Sequence, residues 1–245
     1  TVVDGAGVTR VRDVGFDVRG GEIVGVAGVT GNGQTELLEA LSGMRPFIGE
    51  IRVDGKPVEH SSGLTPARAL RRIGVGHVPE DRKREGLVGP FAANECAILG
   101  YHDDPSYNGL VLMNARKIIE RCQREMREFD VRPCNPLLRT GAFSGGNQQK
   151  IVLAREIERD PDLLLVGQPT RGVDIGAIEF IHRRLLALRA AGKAILLVSV
   201  ELDEILALSD RILVMFDGRM VGEMPRSEAA EAKLGLLMAG IEGQA

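Results

Sequence analysis

Residues 28–36 read GVTGNGQTE and have the glycine spacing of a loop that could bind phosphate. Glycines let successive backbone N–H groups turn toward an anion, and a helix that follows such a loop adds its positive N-terminus. In the general pattern GxxxxGK[ST], the lysine contacts the terminal phosphates and the Ser or Thr hydroxyl binds Mg²⁺. Gly28, Gly33 and Thr35 fit this pattern, but Gln34 stands where lysine is expected.

The missing lysine weakens the predicted phosphate site. A neutral hydrogen bond from Gln34 is about half as strong as a charge-assisted one, so the loss of phosphate binding is on the order of 1–2 kcal/mol. Taken alone, the loop is equally consistent with a plain tight turn. The residues that would contact the phosphates are Gly28, Val29, Thr30, Gly31, Asn32, Gly33, Gln34, Thr35 and Glu36, with Thr35 as a weak Mg²⁺ ligand.

The loop lies between two segments of different periodicity. The apolar run at 23–28 predicts a buried strand, and the apolar positions of 34–43 predict a helix. In the last hundred residues, apolar strands at 162–167 and 194–199 alternate with amphipathic helices. This alternation predicts a mainly parallel sheet covered by helices on both faces.

Two further regions complete the predicted architecture. Near the N-terminus, apolar and polar residues alternate at 8–18, which predicts a strand. From about residue 92 strand patterns vanish and helical periodicity takes over, so we interpret residues 92–139 as a helical subdomain. Residues 1–91 and 140–245 are then the α/β core of the same domain.

Composition argues against several classes of protein. A formal net charge of -3 gives no reason to expect nucleic acid as a partner, and the apolar runs are too short to span a bilayer. Three cysteines without CxxC spacing indicate reduced cytoplasmic thiols rather than a zinc site or disulfide framework. The chain starts at Thr1 and shows no signal peptide, so we expect a domain excised from a longer protein.

Several motifs in order along the chain carry a family resemblance. Residues 144–155 read SGGNQQKIVLAR and residues 163–174 read LLLVGQPTRGVD. They resemble the signature motif and the Walker B strand with D-loop of ATP-binding cassette (ABC) proteins. VPEDRKREGLV at 78–88 resembles the Q-loop segment of the second cassette in importers, and residues 201–223 resemble the closing section of the family. The resemblance covers nearly the whole chain and is closest to the C-terminal cassette of tandem-cassette importers for sugars or nucleosides. The residues of the segments GNGQTEL, QPTRG and AIEFIH favour the nucleoside importers over the sugar importers.

The resemblance implies a fold and a set of motifs that serve a partner. The implied fold is an α/β P-loop NTPase (RecA-like) ABC nucleotide-binding domain with N-terminal antiparallel β strands and an inserted helical subdomain. In this family the signature motif faces ATP held by the other cassette, and the D-loop aspartate, here Asp174, crosses to the same opposite site. The signature residues implied by the match are Ser144, Gly145, Gly146, Asn147 and Gln148.

The residues that would serve the chain's own ATP site depart from the family pattern. The Walker B Asp-Glu pair is replaced by Gly167 and Gln168, and the switch histidine by Val200. Glu80 holds the position of the Q-loop glutamine. Losing a general base costs about 10²- to 10⁴-fold in rate. The resemblance therefore implies a degenerate site in which ATP and Mg²⁺ bind weakly or not at all and little hydrolysis occurs.

These observations lead to a hypothesis with two alternatives. The chain would couple ATP use to solute uptake at the cytoplasmic face of the plasma (inner) membrane. Its partners would be an N-terminal cassette of the same polypeptide, transmembrane permease subunits and, indirectly, a periplasmic or lipoprotein solute-binding protein. The charged run RKREG would be either a solvated loop or a contact with the membrane subunit. The alternatives are a non-transport regulatory or assembly module and, less consistent with the missing residues, a self-sufficient ATPase.

Overall fold

The computed structural model describes residues 1–58, 67–108 and 112–241. Contacts within the chain divide it into two compact units. The first unit comprises Thr1–His77, Asp162–Gln168 and Arg183–Ala245, and the second comprises Val78–Pro161 and Pro169–His182. The predicted helical subdomain at 92–139 falls within the second unit, which also includes the signature and D-loop segments.

Strands and helices alternate along much of the chain. The strands are, in chain order, β1 (Val2–Val3), β2 (Thr9–Val11), β3 (Ile23–Ala27), β4 (Arg52–Val53), β5 (Lys56–Pro57), β6 (Val75–Val78), β7 (Leu163–Gly167), β8 (Ala194–Ser199), β9 (Arg211–Phe216) and β10 (Arg219–Pro225). The α-helices are α1 (Gln34–Leu41), α2 (Ala67–Arg72), α3 (Ala93–Cys96), α4 (Ala115–Glu128), α5 (Gly145–Ile157), α6 (Ile175–Ala190), α7 (Leu202–Leu208) and α8 (Glu231–Met238).

A six-stranded sheet forms the centre of the first unit, in the order β10–β9–β3–β8–β7–β6. The pairs β9–β3, β3–β8 and β8–β7 are parallel, whereas β10 returns antiparallel beside β9. All residues of β3 and β8 are buried, as expected for strands covered on both faces. The hydrophobic core of this unit includes Val24, Val26, Leu37, Leu38, Leu165, Leu196 and Val198. These findings confirm the predicted α/β class.

Short antiparallel pairs accompany the main sheet, as predicted. β1 pairs with β2, and β4 pairs with β5 through an Asp54-Gly55 turn in which both residues have positive φ. The strand predicted over 8–18 is wrong beyond Val11, where β2 ends. Asp13 has φ 49 in the left-handed region, which breaks the extended conformation.

The second unit is mainly helical, with α3, α4, α5 and the first half of α6. Arg82–Gly86 form a short π-helical turn whose N-terminus is capped by Asp81, since its carboxylate accepts hydrogen bonds from the amides of Lys83 and Arg84. Within α5, the buried Arg155 and Glu156 form an ion pair of 2.7 Å, and Tyr101 donates to Glu156 at 2.6 Å. A buried ion pair needs such additional hydrogen bonds to offset its desolvation.

Two further properties concern the state of the cysteines and the length and polarity of the helices. Cys96, Cys122 and Cys134 are free thiols, and burial raises the pKa of Cys122 to about 12. Over the described ranges, every helix is either too short or too polar to cross a membrane.

Candidate functional site

The glycine-rich loop connects β3 to α1, so it lies at the carboxyl end of a central parallel strand. Gly33 has φ 101, and a Cβ there would lie 2.4 Å from the carbonyl oxygen of Arg10, so only glycine fits. Asn32 is fixed by the β9–β10 turn: its carbonyl accepts from Gly218 N at 2.9 Å and its Oδ1 from Asp217 N at 3.2 Å. The loop therefore has a defined backbone shape that does not depend on a ligand.

Gln34 turns its side chain back into this loop and is only 5% exposed. Its Nε2 donates to the carbonyl oxygen of Val29 at 3.3 Å. The same nitrogen would lie 2.0 Å from a Cβ on Gly28, so the amide occupies the space that this glycine leaves open. Gln34 thus fills the interior of the loop with a neutral group and closes it from within.

Gln168 and Val200, which the resemblance places at the Walker B and switch positions, meet at the ends of β7 and β8. Gln168 is buried, has φ 47, and donates its backbone N–H to Val198 O at 2.8 Å. Its side-chain Oε1 lies 3.5 Å from the backbone N of Val200, which donates to it. The two positions predicted from the sequence to be degenerate are therefore brought together, and they are joined by an uncharged contact. Gly167, the last residue of β7, has no side chain and so supplies no carboxylate at this position.

The donor set near the loop does not suit Mg²⁺. Magnesium prefers octahedral oxygen ligands and is usually held through one or two carboxylates. Thr35 supplies an exposed hydroxyl, Gly167 supplies nothing, and the amide oxygen of Gln168 already accepts a hydrogen bond. Among the described residues, no group of three or more His, Cys, Asp or Glu side chains could hold a metal ion. The residues present do not fit the metal site that the general pattern requires.

Glu80 lies two residues after the end of β6 and is half-buried. It belongs to the second unit, whereas the loop and the Gln168 contact belong to the first.

The SGGN segment begins α5 in the second unit. Ser144 is the N-cap, and its Oγ accepts from Asn147 N at 3.4 Å and from Asn147 Nδ2 at 2.9 Å. Asn147 is held in turn, because its Oδ1 accepts from the backbone N of Arg132 at 2.8 Å. Ser144 is exposed at the N-terminus of a 13-residue helix. Such an end presents free N–H groups and a partial positive charge to an anion.

Gln148 does not share the exposure of Ser144. It is buried, and its Nε2 donates to the carbonyl oxygens of Thr140 and Phe143, both at 3.1 Å. The role that the resemblance assigns to Gln148, facing a partner's ATP, stays a prediction; in the structure its side chain fixes the loop that precedes α5.

The D-loop packs directly against this helix end. Asp174 Oδ1 accepts from Ala177 N at 2.9 Å and so caps α6. A Cβ on Gly146 would lie 2.8 Å from Asp174 Oδ2, and one on Gly145 would lie 2.7 Å from the carbonyl oxygen of Gly172. Both glycines are needed for this close approach, in addition to any role in binding an anion.

Arg82 was not predicted as a site residue, since the charged run that contains it is equally typical of a solvated loop. Its Nη1 donates to Arg171 O at 2.7 Å and its Nη2 to Gly172 O at 3.2 Å. Partial burial lowers the pKa of Arg82, with Asp81 opposing the shift. Its position directly after the N-capping Asp81 is the feature of the sequence that could have distinguished Arg82 from Lys83 and Arg84.

The motifs and their geometry agree with a comparison against protein families. The profile described as "ABC transporter" matches residues 11–171, from the last residue of β2 to the start of the D-loop segment. The chain belongs to the ABC transporter family. This assignment confirms the resemblance drawn from the signature and Walker B motifs.

Curated ABC relatives extend the match over almost the whole chain. The Guanosine import ATP-binding protein NupO of Bacillus subtilis is 46% identical over 98% of this chain and 46% of its own length. The Nucleoside import ATP-binding protein NupA of Lactococcus lactis is 44% identical over 98% of this chain and 47% of its own length. The Glucose import ATP-binding protein TsgD13 of Haloferax volcanii is 40% identical over 98% of this chain. The chain spans about half the length of these relatives.

Solved ABC cassettes share the fold. A dimeric ATP-binding cassette in a post-hydrolysis state, bound to ADP and Pi, superposes with a TM-score of 0.75 at 22% identity and covers 89% of this chain and 90% of that one. A nucleotide-free cassette from an ABC transporter gives a TM-score of 0.73 at 18% identity over 94% of this chain and 89% of that one. These likenesses confirm the P-loop NTPase fold.

Proposed function

We propose that this chain is the second cassette of a tandem importer for nucleosides or sugars, and that it serves its partner's ATP site rather than its own. The partner cassette brings the lysine, aspartate, glutamate and histidine that this chain lacks. This chain brings Ser144, the glycines at 145 and 146, and Asp174. Together they would form one hydrolytic site per pair of cassettes.

The observation that carries this proposal is the contrast between the two sets of residues. At the chain's own loop, Gln34 fills the interior and Gln168 contacts Val200 through neutral groups. In the second unit, Ser144 caps α5, and Gly146 lies directly against Asp174, which caps α6. Random sequence drift alone would be expected to alter both the residues of the chain's own site and those offered to the partner.

The relatives support the tandem arrangement and the solute class. The chain matches about half the length of each relative named as an import ATP-binding protein. The remaining half of each relative is long enough for a second cassette. Two of the relatives reported are named for guanosine or nucleoside import and one for glucose import. We infer that the solute is a nucleoside, in agreement with the residues of the segments GNGQTEL, QPTRG and AIEFIH.

The remaining partners follow from the same role. The cassette would sit at the cytoplasmic face of the plasma (inner) membrane, bound to transmembrane permease subunits, and a periplasmic or lipoprotein solute-binding protein would act indirectly. Residues 92–139 would form the helical subdomain that meets the permease. ATP would be shared across the cassette pair, with weak or absent Mg²⁺ binding at this chain's own loop.

A pair of variants in the complete protein tests the proposal. Ser144→Arg places bulk and charge at the exposed helix end and is expected to abolish steady-state ATP hydrolysis. Gln34→Ala changes the chain's own loop and is expected to leave hydrolysis within about twofold of the unmodified protein, because that loop performs no chemistry. Both rates are measured in the assembled transporter at saturating ATP.

The opposite pattern would overturn the proposal. If Ser144→Arg hydrolyses ATP normally while Gln34→Ala does not, the chain's own loop is the working site. If neither change has an effect and ATP binds neither with nor without the partner cassette, a regulatory or assembly module is the better explanation.

A further inference from the structure

We propose that Arg82 is a positioning residue that holds the D-loop against the signature helix. The π-helical turn Arg82–Gly86 would thereby connect the two motifs that this chain offers to its partner. The catalytic part of this inference rests on the proposed function, whereas the positioning itself is a property of the second unit alone.

The contacts of Arg82 are directed at the backbone of the D-loop. Its two terminal nitrogens donate to successive carbonyl oxygens, those of Arg171 at 2.7 Å and Gly172 at 3.2 Å. The side chain thus closes the turn Thr170–Val173, in which Val173 N donates to Thr170 O at 3.3 Å. Two hydrogen bonds from one planar group fix both the position and the orientation of this turn.

The same guanidinium lies beside the signature motif. Its Nη2 is 2.7 Å from the position that a Cβ on Gly145 would occupy. The carbonyl oxygen of Gly172 is at the same distance of 2.7 Å from that position. Arg82, the D-loop turn and the first residue of α5 therefore share one tightly packed contact, and a displacement of one member must displace another.

The other end of the π-helical turn is anchored on α5. Arg155 is 3% exposed and donates its Nη1 to the carbonyl oxygen of Gly86 at 2.7 Å. A Cβ on Gly86 would lie 3.2 Å from Cγ2 of Val152, so the turn also packs closely on the helix. With Asp81 capping its start, the turn is fixed at one end to the body of α5 and at the other to the D-loop.

Lysine could not replace this arrangement in full. A lysine ammonium is a single point donor on a flexible stem, whereas the Arg82 guanidinium reaches two carbonyls in a fixed geometry. Neighbouring Arg84 is 79% exposed in its side chain and makes only a 3.8 Å ion pair with Glu85. The charged run therefore contains one half-buried, structural cation beside an exposed one.

The experiment uses the complete protein in its transporter, with Arg82→Ala, Arg82→Lys and the control Arg116→Ala. Arg116 lies on α4, is 88% exposed in its side chain and pairs with Glu120, so the control removes a cation of equal charge. Hydrogen exchange is followed at the amides of Val173 and Ala177, both of which are bonded within the D-loop region. The kcat and KM of ATP hydrolysis are measured on the same preparations.

Arg82→Ala is expected to speed exchange at Val173 and Ala177 by about tenfold or more, while amides in the middle of α5 keep their protection. The kcat should fall by about tenfold or more, because small misplacements of positioning groups carry such costs. KM for ATP should stay within about twofold, since the residues that bind nucleotide on the partner are untouched. Arg82→Lys should give intermediate values and the control should match the unmodified protein.

Two results would overturn the inference, and they can be told apart from failure of the proposed function. Unchanged exchange in both Arg82 variants would show that Arg82 does not position the D-loop. Faster exchange with unchanged kcat, in a transporter that Ser144→Arg inactivates, would show that the positioning has no catalytic role. If Ser144→Arg leaves hydrolysis intact, the proposed function fails and the catalytic part of the inference falls with it. If Arg82→Ala does not fold, hydrogen exchange, kcat and KM are compared between Arg82→Lys and the unmodified protein instead.

Discussion

Gln34 shows how a single side chain changes what a glycine-rich loop can do. The backbone shape of the loop is retained by positive-φ glycines and by the anchoring of Asn32. The amide of Gln34, however, lies inside the loop and contacts Val29 O. The sequence predicted the missing charge but could not predict that the replacement would fill the space, because a side-chain rotamer depends on its surroundings.

Replacing Gln34 with lysine should restore phosphate affinity without restoring chemistry. Gln34→Lys in the isolated domain is expected to tighten ATP binding about 5- to 30-fold, the equivalent of about 1–2 kcal/mol. Hydrolysis should stay absent, because Gly167, Gln168 and Val200 still lack the groups that polarise water. Equilibrium titration with a fluorescent ATP analogue measures the affinity, with Gln34→Ala as the matched control. Hydrolysis by Gln34→Lys, or affinity equal to that of Gln34→Ala, would contradict this account.

At the scale of elements, hydrophobic periodicity predicted most of the structure. The predicted buried strand over 194–199 and the predicted helix beginning near residue 34 agree with β8 and α1. A short run of apolar residues favours a buried strand, and an apolar stripe favours an amphipathic helix, so few other secondary structures fit these segments. The strand predicted over 8–18 ends early, because Asp13 has a left-handed backbone conformation that hydrophobic periodicity cannot predict.

Contacts between elements were much harder to predict. Glycines 145 and 146 were assigned to anion binding, yet each also makes room for the D-loop. The inward orientation of Gln148 and the contacts of Arg82 depend on residues distant in sequence, such as Thr140 and Gly172. Tertiary hydrogen bonds of this kind carry no local sequence pattern.

Gly146→Ala tests the close contact between α5 and the D-loop. The added Cβ would lie 2.8 Å from Asp174 Oδ2 and 3.1 Å from Ala177 Cβ, so one of these groups must move. We expect unfolding free energy to fall by about 1–3 kcal/mol, the usual cost of overpacking, as measured by urea denaturation. Gly235→Ala is the control, because a Cβ at Gly235 on α8 meets nothing within 4 Å. Equal stability of the two variants would show that the contact tolerates a methyl group.

At the scale of the whole molecule, the family and fold follow from the sequence, while the division of roles is a proposal. Motif order identified an ABC cassette, and the comparison with solved cassettes agrees. The proposal that one set of motifs serves a partner depends on a second cassette that this chain does not contain.

The rate of ATP hydrolysis, measured for the purified 245-residue domain and for the longer protein that we propose carries both cassettes, tests the central claim most directly. We predict no hydrolysis above the buffer rate by the domain alone, at any Mg²⁺ or ATP concentration, and clear hydrolysis by the complete protein. Robust hydrolysis by the unmodified domain alone would contradict the account, since it would require a working site built from Gln34, Gly167 and Gln168.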